Sequence, residues 1–245
     1  MGTAGLFRFS ESAMALSEEG AFKYLALGRE AEAKGLRVIS FGIGQPDFKT
    51  PRHIVEACKE ALDRGLTGYG PSAGLPELRR AIADFTNESY GTDVRPEEVL
   101  VTVGAKAAVF AAIVALVREG DRVLVPDPSY PMYECVVRFA GGVPEPYLLR
   151  EAEGWSLDLD DLGARIRGAR MIILNNPHNP TGSTLGRDEL DELLSLARRE
   201  GVVVVSDEIY DRFVYEGGHN TVPVSYTHLR AHETEADLVC RLLLE

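Results

Sequence analysis

The sequence predicts an α/β fold with a mostly parallel sheet and helices on both of its faces. Short apolar runs recur between stretches of helical periodicity, and these runs are apolar throughout rather than alternating with polar residues. Strands buried on both faces have this composition, and repeated β-α-β units build such a sheet. The 245 residues are 45% hydrophobic and 26% charged, which fits one large domain or two small ones.

The predicted elements follow one another in a regular order. A polar helix over 19–34 and a short strand over Val38–Phe41 form an entry segment, and two helices then begin next to Pro51 and Pro76. From there strands alternate with helices. The strands are predicted at 99–103, 122–125, 143–149, 171–174 and 202–205, and the helices at 105–117, 133–140, 159–166 and 189–199.

Charge and cysteine content exclude several classes of protein. With 26 Lys plus Arg against 38 Asp plus Glu, the formal net charge is −12, which is the wrong sign for a nucleic-acid or anionic membrane partner. Cys58, Cys135 and Cys240 form no C-x-x-C pair, so we expect buried free thiols in a reducing compartment and no metal site. The N-terminus has neither a signal-peptide nor a myristoylation pattern, which favours a cytoplasmic protein.

Two of the strands are followed by segments that could bind a ligand, because ligands of parallel sheets lie beyond the carboxyl ends of the strands. Gly104-Ala-Lys-Ala opens an apolar helix whose first backbone N–H groups suit a phosphate. Pro-Asp-Pro-Ser-Tyr130 brings an aromatic ring to the same edge. Taken alone, the Gly104 segment is better explained as an ordinary turn between a strand and a helix. Tyr130 taken alone is explained as well by core packing as by contact with a ligand.

The next two strand ends carry more unusual residues. In Asn-Asn-Pro-His-Asn179-Pro-Thr-Gly, two prolines restrict the backbone around the Asn179 amide. In Ser-Asp207-Glu-Ile-Tyr210, a carboxylate lies at the buried end of an apolar strand, where it is costly unless it meets a cation. A helix N-cap would explain Asp207 or Ser206 alone, but it does not explain Asn179 and Tyr210 as well.

A phosphorylated pyridine with a phenolate oxygen needs the groups that these strand ends supply. Backbone N–H groups bind its phosphate and an aromatic residue stacks on its ring. An amide and a phenol donate to its oxygen, and a carboxylate keeps its ring nitrogen protonated. The ligand with these features is pyridoxal phosphate.

Five motifs together resemble the class I/II aminotransferase family of fold-type-I pyridoxal-phosphate enzymes, of the aspartate aminotransferase type. They are Ser-Phe-Gly-Ile-Gly-Gln-Pro-Asp-Phe from residue 40, Gly-Tyr-Gly-Pro-Ser-Ala-Gly-Leu-Pro-Glu-Leu-Arg from 68, Val-Thr-Val-Gly-Ala-Lys from 101, Asn-Pro-Thr-Gly from 179 and Ser-Asp-Glu-Ile-Tyr from 206. The resemblance implies transamination between an amino acid and a 2-oxo acid. It also implies an N-terminal arm and small-domain segment over 1–45 and part of a cofactor-binding large domain over 46–223.

The resemblance implies a role for each matching residue. The implied cofactor contacts are Ala105 and Lys106 for the phosphate, Tyr130 for the ring face, Asn179 and Tyr210 for the phenolate oxygen, and Asp207 for the ring nitrogen. Gly44 is implied to line the site of the substrate carboxylate. Tyr69 is implied to reach the cofactor phosphate of a neighbouring subunit, which predicts a homodimer.

The chain departs from the family after Gly217. Family members bind the cofactor aldehyde through a lysine about thirty residues beyond the aspartate, where this chain has Asp237, Leu238 and Val239. No lysine follows Lys106, so no catalytic residue is present and we expect an inactive chain. Residues 224–234 resemble a translated sequencing adapter, and we interpret 224–245 as a non-native tail. The family's strands between those at 99–103 and 202–205 would then be missing, which predicts a gap in the sheet.

Two alternatives stay open. A pyridoxal-phosphate-dependent lyase or decarboxylase would have the same fold and the same cofactor residues, because a fold does not determine a reaction. A non-catalytic sensor module is the other alternative. It would need a basic helix-turn-helix domain at its N-terminus, which the roughly 40 residues before Gly42 do not hold.

Overall fold

The computed structural model describes residues 8–14, 16, 20–41, 44, 48–216, 218, 220–222, 228–231 and 240–243. The chain divides into two units, residues 1–66 and residues 67–245. The first unit contains α1 (Glu11–Met14), α2 (Gly20–Ala33) and α3 (Arg52–Asp63). The predicted domain boundary between residues 45 and 46 is not decided by this division and stays a prediction.

The predicted strand over Val38–Phe41 is wrong. Residues 36–41 have no regular structure, and the side chains of Ile39 and Phe41 are exposed. The composition of this apolar run favours a strand. A strand also needs a hydrogen-bonded neighbour, which a run of four residues does not reveal.

The second unit contains the alternating strands and helices that the sequence predicts, with ends that differ by at most two residues. Its elements are α4 (Pro76–Tyr90), β1 (Val99–Thr102), α5 (Ala105–Leu116), β2 (Arg122–Asp127), α6 (Met132–Phe139), β3 (Val143–Arg150), β4 (Ser156–Leu157), α7 (Leu159–Arg165), β5 (Met171–Asn175), α8 (Arg187–Glu200), β6 (Val203–Asp207), β7 (His228–Ala231) and β8 (Cys240–Leu243).

The main sheet is mostly parallel, as predicted. Its strand order is β4-β3-β2-β5-β6-β7, and only the short β4 runs antiparallel to its neighbour. In the pairing of β5 with β6, Asn175 lies opposite Asp207 at the carboxyl ends of the two strands. This register brings two polar side chains of distant sequence segments to one place.

Helices cover both faces of this sheet and bury two separate cores. One core joins α5 and α6 to alternate strand residues, namely Val123, Val125, Met171, Ile173 and Val205. The other joins α7 and α8 to the residues between them, namely Leu124, Ile172, Leu174 and Val204. Because successive strand residues point to opposite faces, both faces must be apolar, which explains the uninterrupted apolar runs. The predicted three-layer α/β fold is confirmed.

At the position of the expected gap, β1 and β6 belong to two separate sheets. β7 pairs in parallel with β6 in the main sheet, and β8 pairs antiparallel with β1 in a two-stranded sheet. The strand edges that were expected to be open are therefore paired with backbone from residues 228–231 and 240–243, which lie in the segment predicted to be a non-native tail. Pairing of this kind satisfies the N–H and C=O groups that an edge strand exposes.

The two described cysteine side chains are not joined in a disulfide, and they differ in environment. Cys135 is half-buried, whereas Cys58 is exposed on α3, which has no buried residue, so the expected burial is wrong for Cys58. Across the described ranges, no helix combines the length and the apolar character needed to cross a membrane.

Candidate cofactor site

A cavity of about 400 Å³ lies where β1, β2, β5 and β6 end. Its lining includes six of the seven residues that the sequence assigns to cofactor binding, which are Ala105, Lys106, Tyr130, Asn179, Asp207 and Tyr210. These residues come from segments up to about a hundred positions apart, and they meet because parallel strands end at the same edge. The structure therefore brings these six residues together, while the role of each residue stays a prediction.

The start of α5 forms one wall of the cavity. Gly104 caps this helix with φ of +82°, a left-handed backbone conformation that glycine adopts without the steric cost of a side chain. Ala105 and Ala108 are buried in the first core, which fixes the helix against the sheet. The N–H groups of its first turn carry the positive end of the helix dipole, so this wall can bind an anion such as a phosphate.

Tyr130 provides an aromatic ring in the cavity. Its ring meets the ring of Tyr133 edge to face, with centroids 5.6 Å apart and an interplanar angle of 85°. The Lys106 ammonium lies 5.6 Å from the Tyr130 ring centroid on the same cavity wall. These contacts hold the Tyr130 ring in a defined orientation, which a stacking residue needs.

Asp207 lies at the end of β6 with 6% of its surface exposed, and Tyr133 and Ile209 donate hydrogen bonds to it. The hydroxyl of Tyr133 donates to Oδ2 at 2.7 Å, and the N–H of Ile209 donates to Oδ1 at 3.3 Å. Burial, and secondly the charge of Asp207, raise the pKa of Tyr133 well above its usual value. The phenol therefore keeps its proton, and its hydrogen bond stabilises the charged form of the carboxylate.

Hydrogen bonds of its backbone N–H groups hold the loop that contains Asn179. The N–H of His178 donates to the carbonyl of Ser183 at 2.8 Å, and the N–H of Gly182 donates to the carbonyl of His178 at 2.7 Å. The N–H of Asn179 donates to Oδ1 of Asn175 at 2.7 Å. These bonds close the loop, as the two Asn-Pro steps predict, and leave the Asn179 side chain at the cavity.

The turn that carries Tyr210 is held by the fully buried Glu208 carboxylate. Ser206 Oγ and the N–H of Val222 donate to its Oε1 at 2.8 and 3.1 Å, and Thr221 Oγ1 donates to its Oε2 at 2.8 Å. A buried carboxylate with three donors is well compensated for the loss of water. Glu208 thus anchors the chain directly before the cavity residues Ile209 and Tyr210.

Two predicted residues lie outside this cavity lining. Tyr69 belongs to the second unit, and its side chain is fully exposed. Gly44 belongs to the first unit, where it is exposed. The partner-subunit role implied for Tyr69 and the substrate role implied for Gly44 stay predictions.

Sequence reasoning missed two polar residues of the cavity, Tyr133 and Asn175. Tyr133 follows Tyr130 by one helical step, so it has the spacing of an ordinary packing residue. Asn175 stands at the end of an apolar strand, and this position is the one signal that could have indicated it.

The groups around the cavity fit pyridoxal phosphate in their chemistry. The anion-binding helix start suits the phosphate, and Tyr130 suits the face of the pyridine. Asn179 and Tyr210 are neutral donors for a phenolate oxygen, and the Asp207 carboxylate suits a protonated ring nitrogen. The fold and the cavity together define an α/β protein whose strand ends form a cavity with groups suited to a phosphorylated aromatic ring.

The chain belongs to the family "Aminotransferase class I and II", whose model matches residues 37–241. It is 42% identical over 221 residues to an aspartate aminotransferase of Sulfolobus acidocaldarius, covering 89% of this chain and 55% of that protein. It is 40% identical over 203 residues to a probable aspartate/prephenate aminotransferase of Aquifex aeolicus, covering 82% of this chain and 52% of that protein.

Solved structures are similar over almost the whole chain. An aspartate aminotransferase from Thermus thermophilus, solved with maleate, superposes with a TM-score of 0.93 at 32% identity, over 97% of this chain and 65% of that one. An alanine aminotransferase from Pyrococcus furiosus gives a TM-score of 0.91 at 35% identity, over 96% and 63%. The chain spans about half the length of the curated relatives it matches.

Proposed function

We propose that this chain is the cofactor-binding part of a pyridoxal-phosphate-dependent aminotransferase, which transfers an amino group between an amino acid and a 2-oxo acid. The observation that carries this proposal is the single cavity in which six predicted cofactor residues meet. Relatives are named for aspartate, aspartate/prephenate and aromatic amino acids. They differ in substrate and share the reaction, so they support the reaction class rather than one substrate.

Each group has a task in this proposal. The first N–H groups of α5 hold the phosphate, and Tyr130 packs against the ring. Asn179 and Tyr210 donate hydrogen bonds to the phenolate oxygen, and Asp207 accepts a hydrogen bond from the protonated ring nitrogen. When bound, the cofactor supplies an electron sink for the bonds at the substrate's α-carbon. Tyr133 supports that chemistry by donating a hydrogen bond to the Asp207 carboxylate.

Catalysis needs one further group, an amine that binds the cofactor aldehyde and moves the substrate's α-proton. The chain has no lysine after Lys106, and Lys106 belongs to the proposed phosphate wall. We therefore propose that these 245 residues bind the cofactor without turnover, and that residues 224–245 are not native to the enzyme.

The proposal includes a homodimer for the parent enzyme, whereas this chain with its non-native tail should not dimerise cleanly. The side chain of Tyr69 is fully exposed on the second unit, as expected of a residue that reaches a neighbouring subunit. Sedimentation of this chain tests the second part, and a single well-defined dimer would contradict it.

The reaction is tested by following the conversion of pyridoxal phosphate to pyridoxamine phosphate in the presence of an amino acid. We expect bound cofactor without conversion by the chain alone, and conversion once a small primary amine in solution supplies the missing base. Asp207→Ala should abolish both the binding of the cofactor and its conversion with the added amine. Asp127→Ala is the control, because that aspartate is exposed at the end of β2. Absence of conversion with the added amine would contradict the proposed reaction.

A further inference from the structure

The side chain of Asn175 connects the two strand ends that carry Asn179 and Asp207. Its Nδ2 donates to the backbone carbonyl of Asp207 at 3.0 Å, and its Oδ1 accepts the N–H of Asn179 at 2.7 Å. Asn175 is 5% exposed and lines the cavity. The first bond passes from β5 to β6 at the last pair of their register, so it lies where the two strands end.

We propose that Asn175 is a positioning residue that sets the distance between the side chains of Asn179 and Asp207. This proposal rests on the proposed function, in which Asp207 binds the nitrogen and Asn179 binds the phenolate oxygen of one aromatic ring. The distance between these two atoms of the ring is fixed, so both partners can bind it only when their backbones are held at a matching separation. Asn175 lines the cavity and contacts both backbones.

An amide is the side chain that this position requires. The planar amide carries both a donor and an acceptor. Here the donor binds the backbone of Asp207 and the acceptor binds the backbone of Asn179. A carboxylate at the same position would keep the acceptor for Asn179 but would set a second oxygen against the carbonyl oxygen of Asp207. Because the site is buried, water does not compensate for that repulsion.

The neighbouring Asn176 offers a matched control. It is 1% exposed and also uses both ends of its amide. Its Nδ2 donates to the carbonyl of Asn220 at 2.7 Å, and its Oδ1 accepts the N–H of Leu185 at 3.0 Å. These partners lie outside the described cavity lining. Asn176→Asp therefore makes the same chemical change at the same burial but does not alter the link between Asn179 and Asp207.

The first test measures binding of 4-deoxypyridoxine phosphate to the full chain. In this analogue a methyl group replaces the aldehyde, so it cannot react with lysines. We expect Asn175→Asp to bind it about tenfold more weakly than Asn176→Asp, because a hydrogen bond is replaced by a repulsion at the site. Equal affinities in the two variants would overturn the proposal.

The second test needs no cofactor. Hydrogen exchange of the Asn179 amide is measured in Asn175→Leu and in Asn176→Leu. We expect exchange to be about tenfold faster in the first variant, because the acceptor of that N–H is lost. Unchanged exchange would overturn the positioning role. Faster exchange in a chain that binds no analogue would support the positioning role and would overturn the proposed function, so the two failures are distinguishable.

Discussion

The hydroxyl of Tyr133 donates a 2.7 Å hydrogen bond to Oδ2 of Asp207, and it links the first turn of α6 to the end of β6. Both residues are buried, with 1% and 6% of their surfaces exposed. The aspartate that would bind the ring nitrogen is therefore supported by a phenol from a different β-α unit. The strength of the proposed cofactor site depends on this pair as well as on the residues that would contact the cofactor.

Replacement of Tyr133 by Phe should weaken cofactor binding. The change removes one donor to a buried carboxylate and retains the ring that packs against Tyr130, so we expect an affinity for 4-deoxypyridoxine phosphate about tenfold lower. Calorimetric titration measures this effect. Tyr147→Phe is the control, since its buried hydroxyl donates to the carbonyl of Ile173. An equal loss in both variants would show that the effect is general destabilisation.

The free energy of unfolding should fall in alkaline solution. Burial raises the pKa of both Tyr133 and Tyr147 above the usual value. A raised pKa in the folded state gives a contribution that is present below the unfolded pKa of about 10 and is lost as pH rises above it. Denaturant titrations over this range should show a smaller loss in Tyr147→Phe than in the unchanged chain. The exposed Tyr215 provides the control substitution, and an identical pH dependence in Tyr147→Phe and Tyr215→Phe would refute the prediction.

The chain should also lose stability in mild acid. His178 is 7% exposed beside Thr181, and burial lowers its pKa. A histidine whose pKa is lowered by folding contributes stability above its unfolded pKa of about 6.5, and this contribution is lost as pH falls through the folded value. We expect His178→Asn to flatten the fall in unfolding free energy below about pH 6.5. His53→Asn, at an exposed site on α3, is the comparison; the same slope in both variants would argue against this role.

Gly74 should not tolerate a side chain. Its φ is +102°, and a Cβ atom there would lie 2.5 Å from Cγ2 of Val101 on β1. We expect Gly74→Ala to lower the free energy of unfolding by about 2–4 kcal/mol, from backbone strain and overpacking together. Gly154 also has a positive φ, of +71°, but it faces open space. Gly154→Ala should therefore cost only about 1 kcal/mol, and a similar cost at both positions would contradict the packing argument.

The sequence predicted the layers and the strand ends because both depend on local patterns. Apolar runs with helices between them indicate strands buried on two faces, and parallel strands place their following residues at one edge. Asn179 and Asp207 were found in this way. The strand at Val38–Phe41 was predicted wrongly because pairing is not a local property. For the same reason the pairing of β1 with β8 and of β6 with β7 was not predicted.

Tyr133 and Asn175 were missed because their partners are distant in the sequence. The partner of Tyr133 lies 74 positions further along the chain, and the register of β5 with β6 brings Asn175 opposite Asp207. In the sequence, the positions of Tyr133 and Asn175 do not differ from those of ordinary core residues. Only the order of the strands shows that these side chains support the ones that the motifs identify.

We propose above all that the cavity at the strand ends is a site for pyridoxal phosphate. Titration of the full chain with 4-deoxypyridoxine phosphate, followed by calorimetry, tests it most directly because this probe has no aldehyde to react with surface lysines. We expect saturable binding of one molecule per chain, which Asp207→Ala abolishes and Asp127→Ala retains. Absence of binding, or equal binding by both variants, would contradict it.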